Sequence, residues 1–199
     1  MSQTVDCYFT PISPWAYLGM ARFRRIVAET GAVAAFKPVD IMQVFARVGA
    51  LPLGQRPQSK QDNRLQELVR WRDYLKMPLI LQPQFFPTNP IPACRLISAV
   101  ASLGLDAAAL SEACLKACWV EEQDIASADT LIQLTDRCGL DGRGLYQASL
   151  LDAALQQVQA NTDEALARGV IGSPCYLVDD QVFFGQDRLD FVARALLTG

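Results

Sequence analysis

The run Tyr8-Phe9-Thr10-Pro11-Ile12-Ser13-Pro14-Trp15-Ala16-Tyr17-Leu18-Gly19 constrains this chain more than any other stretch. Before it, Val5 to Phe9 is short, apolar and β-leaning. After it, Met20, Phe23 and Val27 recur at helical spacing, and Leu18 and Ile26 widen the apolar face. A buried strand therefore runs into a helix across Thr10 to Ile12. Ser13 falls at the N-cap, Pro14 fills the first helical position, and Gly31 supplies the stop. The serine has two compatible readings. As a cap its oxygen accepts a backbone N–H, worth about 1 kcal/mol. As a functional group it sits where unpaired N–H groups and the helix dipole favour an anion.

Val33 to Pro38 reads as a second strand, closing a strand-helix-strand unit. Ile41 to Val48 is a short helix, Gly49 to Ser59 a loop, and Lys60 to Tyr74 a helix with Leu65, Leu68 and Trp71 on one face. Met77 to Pro92 holds Pro78, Pro83, Pro87, Pro90 and Pro92, so it is a structured loop over a surface or pocket. Ala93 to Gly104, Asp106 to Val120, Ser127 to Cys138, Asp141 to Ala148 and Asp152 to Arg168 read as successive helices, with Ser127 as an N-cap. Cys175 to Val178 and Val182 to Phe184 form a β-hairpin, and a helix follows from Asp187. The fold class is α/β: a thioredoxin-like domain from 1–40 and 152–199, with an all-helical domain, 41–151, inserted into it. A ligand crevice between the two parts is the default expectation.

That order gives the serine turn a second meaning. Ser13-Pro14-Trp15-Ala16 stands where thioredoxin-like proteins carry Cys-x-x-Cys. Neither cysteine position holds a cysteine, so dithiol chemistry is absent there. Six cysteines occur elsewhere: Cys7, Cys94, Cys114, Cys118, Cys138 and Cys175. Cys114 and Cys118 share a helical face, but no further ligands cluster with them, and buried free thiols are the simpler reading. No metal is expected. The chain has no histidine, which removes the usual general base. Catalysis would need a hydroxyl, a carboxylate, a lysine or a reagent brought by a cofactor.

The 18 basic and 21 acidic residues carry no basic patch of the kind that binds nucleic acid or a membrane surface. No run approaches a membrane span, and Met1-Ser2-Gln3-Thr4 leads almost directly into the first strand. A cytoplasmic location is expected.

Gly172-Ser173-Pro174-Cys175 precedes the hairpin. In a thioredoxin-like order a cis proline belongs at Pro174. It would turn the Ser173 N–H and C=O toward the Ser13 turn, where an extended peptide could pair with them. Cys175 reads as a small buried strand residue. Asp187, in Gly185-Gln186-Asp187-Arg188, reads either as the N-cap of the last helix or, with Gln186, as a ligand holder at that helix start.

Taken together these pieces resemble the 2-hydroxychromene-2-carboxylate isomerase and kappa-class glutathione transferase family, over nearly the whole chain. The matching pieces are Phe9 with Ser13 to Leu18, Lys37-Pro38-Val39-Asp40, Phe86-Pro87-Thr88-Asn89 with Arg95, and Trp119 followed by Asp124-Ile125. Near the end they are Gly169 to Pro174 and Gly185 to Leu189. The resemblance implies glutathione as cofactor and a homodimer. Ser13 matches the serine facing the glutathione sulfur, and Ser173 with Pro174 the pair that meets its peptide backbone. Gln186 and Asp187 match the pair at its γ-glutamyl end, and Lys60 a lysine near its glycine carboxylate. Trp15 and Asn89 border the second substrate. Thr10, Ala50 and Asn63 depart from residues common in the family, namely Asp, Asn and Tyr.

The implied reaction is a glutathione-dependent isomerisation of an unsaturated, aromatic-derived carboxylic acid, by reversible addition of the thiolate. A kappa-like transferase forming a stable conjugate would use the same site. A thiol- or peptide-binding module without turnover is the alternative of a different class.

Overall fold

The computed structural model describes residues 3–198. The outermost ends of the two expected thioredoxin-like segments, and the Met1-Ser2 start of the expected leaderless N-terminus, lie outside them. Strand β1 (Thr4–Phe9), helix α1 (Pro14–Thr30) and strand β2 (Val33–Pro38) form the first unit. Helices α2 (Ile41–Val48), α3 (Gln58–Leu75), α4 (Ile91–Ser102), α5 (Ala107–Trp119), α6 (Ala128–Arg137), α7 (Gly142–Ser149) and α8 (Asp152–Ala167) follow. Strands β3 (Cys175–Val178) and β4 (Gln181–Phe184) and helix α9 (Leu189–Thr198) close the chain.

The sheet order is β2-β1-β3-β4. β1 runs parallel to β2 and antiparallel to β3, with Phe9 opposite Pro38 and Tyr8 opposite Cys175. Alternation sorts the central strands between two cores, as a two-residue side-chain period requires. Val5, Cys7, Phe9, Tyr176 and Val178 enter the larger core, with Phe23 of α1 and Leu96, Leu110 and Trp119 of the helical block. Tyr8, Cys175 and Leu177 enter a smaller one with Val44 of α2 and Ala165 of α8. The sheet and the helical block thus share one apolar core. Cys114 and Cys118 are part of it.

The turn that starts α1 forms as its sequence dictates. Ser13 is extended, its Oγ accepts the Ala16 N–H at 3.2 Å, and Pro14 opens the helix. Gly31 ends it at φ 67°, a left-handed conformation that costs glycine nothing. Two expected caps differ. Ser127 precedes α6 but makes no side-chain cap bond. Asp187 does not cap α9, because a 3-10 turn over Gln186–Arg188 leads into that helix.

The proline-rich segment is a loop tied down at several points. The Tyr17 hydroxyl donates to the Pro78 carbonyl at 2.6 Å, the Ile80 N–H to the Trp119 carbonyl at 2.9 Å, and the Thr88 hydroxyl to Asp124 at 2.6 Å. Both Ser173–Pro174 and Phe86–Pro87 are cis; only the first is expected from the sequence.

Candidate active site

The turn before α1 and the loop before β3 meet at one end of the sheet. The Ser13 hydroxyl donates to the Ser173 carbonyl at 3.1 Å while its oxygen caps Ala16. The Thr10 N–H donates to Ser173 Oγ at 2.9 Å. The Ser173 carbonyl, read from the sequence as open to a peptide, is therefore met by Ser13. The Ser173 N–H has no acceptor among the described residues. Thr10 Oγ1 is also without a partner, although Thr10 is only 3% exposed. A buried hydroxyl left unpaired costs about 1–3 kcal/mol, so an orphan of this kind calls for an explanation.

These groups open onto a cleft of about 570 Å³, within the range that holds small molecules. Thr10, Ser13, Trp15 and Ser173 form one wall. Ile41, Phe45, Phe86 and Phe184 supply apolar surface. Arg56, Lys60 and Arg64 also line the cleft, and no Asp or Glu does. Three cations without a counter-charge favour an anionic occupant. α3 sets this up, since Lys60 and Arg64 are four residues apart and share a helix face with the buried Leu68. The Arg56 Nε donates to the Leu51 carbonyl at 2.7 Å, and its guanidinium lies over Phe45. Arg64 lies 5.5 Å from the Phe86 ring centroid and 5.8 Å from that of Trp119. Burial pulls its guanidinium down to about 10, and the Arg56 charge pulls the same way.

The other expected site residues, Pro174, Asn89, Gln186 and Asp187, do not line this cleft. Pro174 is buried, its carbonyl accepting the Gly185 N–H at 2.9 Å. Asn89 does not line it: the side chain accepts the Ile91 N–H at 3.1 Å at the start of α4. Gln186 is buried at 1% exposure, and Arg22 of α1 donates to its backbone carbonyl at 2.8 Å and to its side-chain oxygen. That bond turns the Gln186 amide toward α1 and away from any ligand. Asp187, the next residue, is exposed, 3.5 Å from Arg188. Arg95, among the matching pieces, bonds the Ser149 and Leu151 carbonyls.

Arg56 and Arg64 were not singled out in the sequence. The available signal was the Lys60-Arg64-Leu68 stripe, two cations continuing into a core position. Cys175 is fully buried and burial raises its thiol, so it offers no nucleophile.

A parallel strand pair, an antiparallel hairpin and a helix N-terminus facing the loop before a cis proline define a thioredoxin-fold protein, here with a helical insertion. The chain belongs to the family of DSBA-like thioredoxin domains, which matches residues 4–197. It is 30% identical to the 2-hydroxychromene-2-carboxylate isomerase of Sphingobium xenophagum, over 99% of this chain and 100% of that one. Among solved structures it resembles a 2-hydroxychromene-2-carboxylate isomerase, at a TM-score of 0.78 and 23% identity over 97% of this chain and 94% of the other. It also resembles the cytosolic disulfide reductase DsbM of Pseudomonas aeruginosa solved with GSH, at 0.70 and 17% over 96% and 93%. The relative from Sphingobium xenophagum supports an isomerase within the DsbA-like family, and the solved structures show the fold. No helix among the described residues is long and apolar enough to cross a membrane.

Proposed function

We propose that this protein is a glutathione-dependent isomerase of an unsaturated, aromatic-derived carboxylic acid of the 2-hydroxychromene-2-carboxylate type. The observation that carries the reading is the Ser13 hydroxyl. It stands at the N-terminus of α1, bonded to the Ser173 carbonyl, on the wall of an acid-free cationic cleft.

The residues present fit glutathione. The orphan Ser173 N–H suits a peptide carbonyl, and Lys60 and Arg56 suit a carboxylate. The exposed Asp187 suits an ammonium group. Gln186 supports the turn that carries Asp187. When bound, glutathione supplies a thiolate that adds to an electron-poor carbon, permits rotation about the adjacent bond, and leaves again.

The chain's own contribution is electrostatic. A thiol with a pKa near roughly 8.5 is only a few per cent ionised at pH 7. Lowering it by two units needs about 2.7 kcal/mol of preference for the anion. A rotated Ser13 hydroxyl plus the helix N-terminus is of that size. Trp15 and the phenyl rings exclude water and flank a planar substrate.

Calorimetric titration with reduced glutathione, followed by product mass after turnover of 2-hydroxychromene-2-carboxylate, tests the reading. Binding with a product of unchanged mass supports it. No binding at millimolar glutathione overturns it, and a mass increased by glutathione replaces isomerisation with conjugation.

A further inference from the structure

The cleft contains a cation that the thiol chemistry does not use. The Arg64 guanidinium rests against a pair of aromatic rings, 5.5 Å from the centroid of Phe86 and 5.8 Å from that of Trp119, which are themselves 4.8 Å apart. The rings give the guanidinium an aromatic surface to rest against. Its edge is different: no hydrogen-bond acceptor and no acid meets it among the described residues, although it carries five N–H donors. Arginine held in this way is stiff, so little freedom remains to be lost when a planar partner arrives. Arg56 adds positive charge nearby, which favours an anion at that edge. Phe86 also lines the cleft, so a flat apolar surface adjoins the fork.

We infer that Arg64 is the specificity-determining residue for the second substrate, its guanidinium edge taking the substrate's carboxylate in a two-pronged bond while the Phe86 ring packs against the attached aromatic system. This rests on the cleft being the substrate site proposed above. It separates the work of the cations: Lys60, one turn nearer the start of α3, is left for the cofactor, and Arg64 for the acid that is transformed. An Arg-carboxylate fork is directional and matches two oxygens in one plane, which a lysine does not reproduce.

The test uses two flat probes, 2-naphthoate and its neutral counterpart 2-naphthamide, titrated into the protein with saturating S-methylglutathione and without it. Wild type binds the acid about tenfold or more tightly than the amide, the discrimination expected of a charged, paired hydrogen bond. Arg64→Met loses that preference, Arg64→Lys keeps a part of it, and glutathione affinity is unchanged in both. Circular dichroism and melting of each variant identify any that fails to fold, and Arg64→Gln then stands in for Met. The inference is overturned if Arg64→Met keeps the preference for the acid, if wild type has none, or if glutathione affinity falls by the same factor. A wild type that prefers the acid through Arg64 but binds no glutathione leaves the inference standing and removes the proposed cofactor.

Discussion

The Ser13 hydroxyl lies 3.1 Å from the carbonyl oxygen of Ser173, a contact between residues 160 positions apart. It joins the first and last thirds of the chain at the point where chemistry is proposed. The same oxygen caps α1 through the Ala16 N–H. Ser13→Ala therefore removes two bonds at once. Loss of the cap costs about 1 kcal/mol, a melting point lower by about 2–4 °C for a chain of this size. Isomerase turnover at pH 7 falls about 10- to 100-fold, because a hydrogen bond to a charged sulfur is worth about 1.5–3 kcal/mol. Absorbance of bound glutathione thiolate near 240 nm, followed against pH, separates the effects: its midpoint moves up toward that of free thiol. Full turnover with an unmoved midpoint would refute the role of Ser13.

Thr10 gives a cleaner separation of folding from function. Its backbone N–H is engaged by Ser173 Oγ, and its own hydroxyl is buried without a partner. Thr10→Val preserves the shape and the backbone bond while deleting the orphan. Stability is unchanged or rises by up to about 1 kcal/mol in denaturant unfolding. Glutathione affinity, by calorimetry, falls about threefold to tenfold if that hydroxyl meets the ligand. A variant that is both less stable and unchanged in affinity would mean the hydroxyl has a structural partner after all.

The strand-turn-helix at the N-terminus was legible because every signal in it is local: a short apolar strand, a capping serine, a proline at the first position and a glycine stop. The element order, and hence the fold, follows from the same kind of signal. The cation arrangement was not legible. Arg64 sits on a helix rich in charges, and nothing in the spacing separates a solvated arginine from one held against Phe86 and Trp119, which come from a loop and another helix. The separate placements of Gln186 and Asp187 were hidden for a related reason. They are adjacent in sequence, but the 3-10 turn sends one side chain to Arg22 in the interior and the other to the surface. The missing cap at Ser127 shows the limit of residue type alone as a signal.

Gly19 is where α1 touches that turn. A Cβ built there would meet the Gln186 Cβ at 2.7 Å and the Tyr176 hydroxyl at 2.9 Å. Both neighbours are buried, so neither can swing away freely. Alanine favours a helix over glycine by about 1 kcal/mol, but overpacking costs about 1–3 kcal/mol, and here two contacts fall inside normal separation. Gly19→Ala is expected to lower stability by about 1–2 kcal/mol net in urea unfolding. It should also weaken glutathione binding if Asp187 shifts with the turn. A stabilised Gly19→Ala protein would mean that this packing is looser than the contacts imply.

The thiols make the last prediction, and its sign follows from burial. Cys7, Cys94, Cys114 and Cys175 are buried and raised by desolvation, and Cys118 is pushed up to about 12. In the unfolded chain these thiols ionise near their ordinary value of about 8.5. Above that pH the folded state binds more protons than the unfolded one, so stability falls as pH rises. Below it both states are protonated and the contribution is fully present. Each thiol adds up to about 1.4 kcal/mol of loss per pH unit once the unfolded form is ionised. Tyr176, raised well above its usual range by burial, adds in the same direction at higher pH. Melting temperature is therefore expected to be flat for these groups from pH 7 to about 8 and to drop steeply from pH 9 to 10.5. The same burial predicts that an aromatic disulfide reagent at pH 8 reacts quickly with Cys138 alone, which is partly exposed, and with all six thiols after denaturation. Rapid native reaction of Cys175, beside the cis proline, would contradict its burial and return a nucleophile to the site.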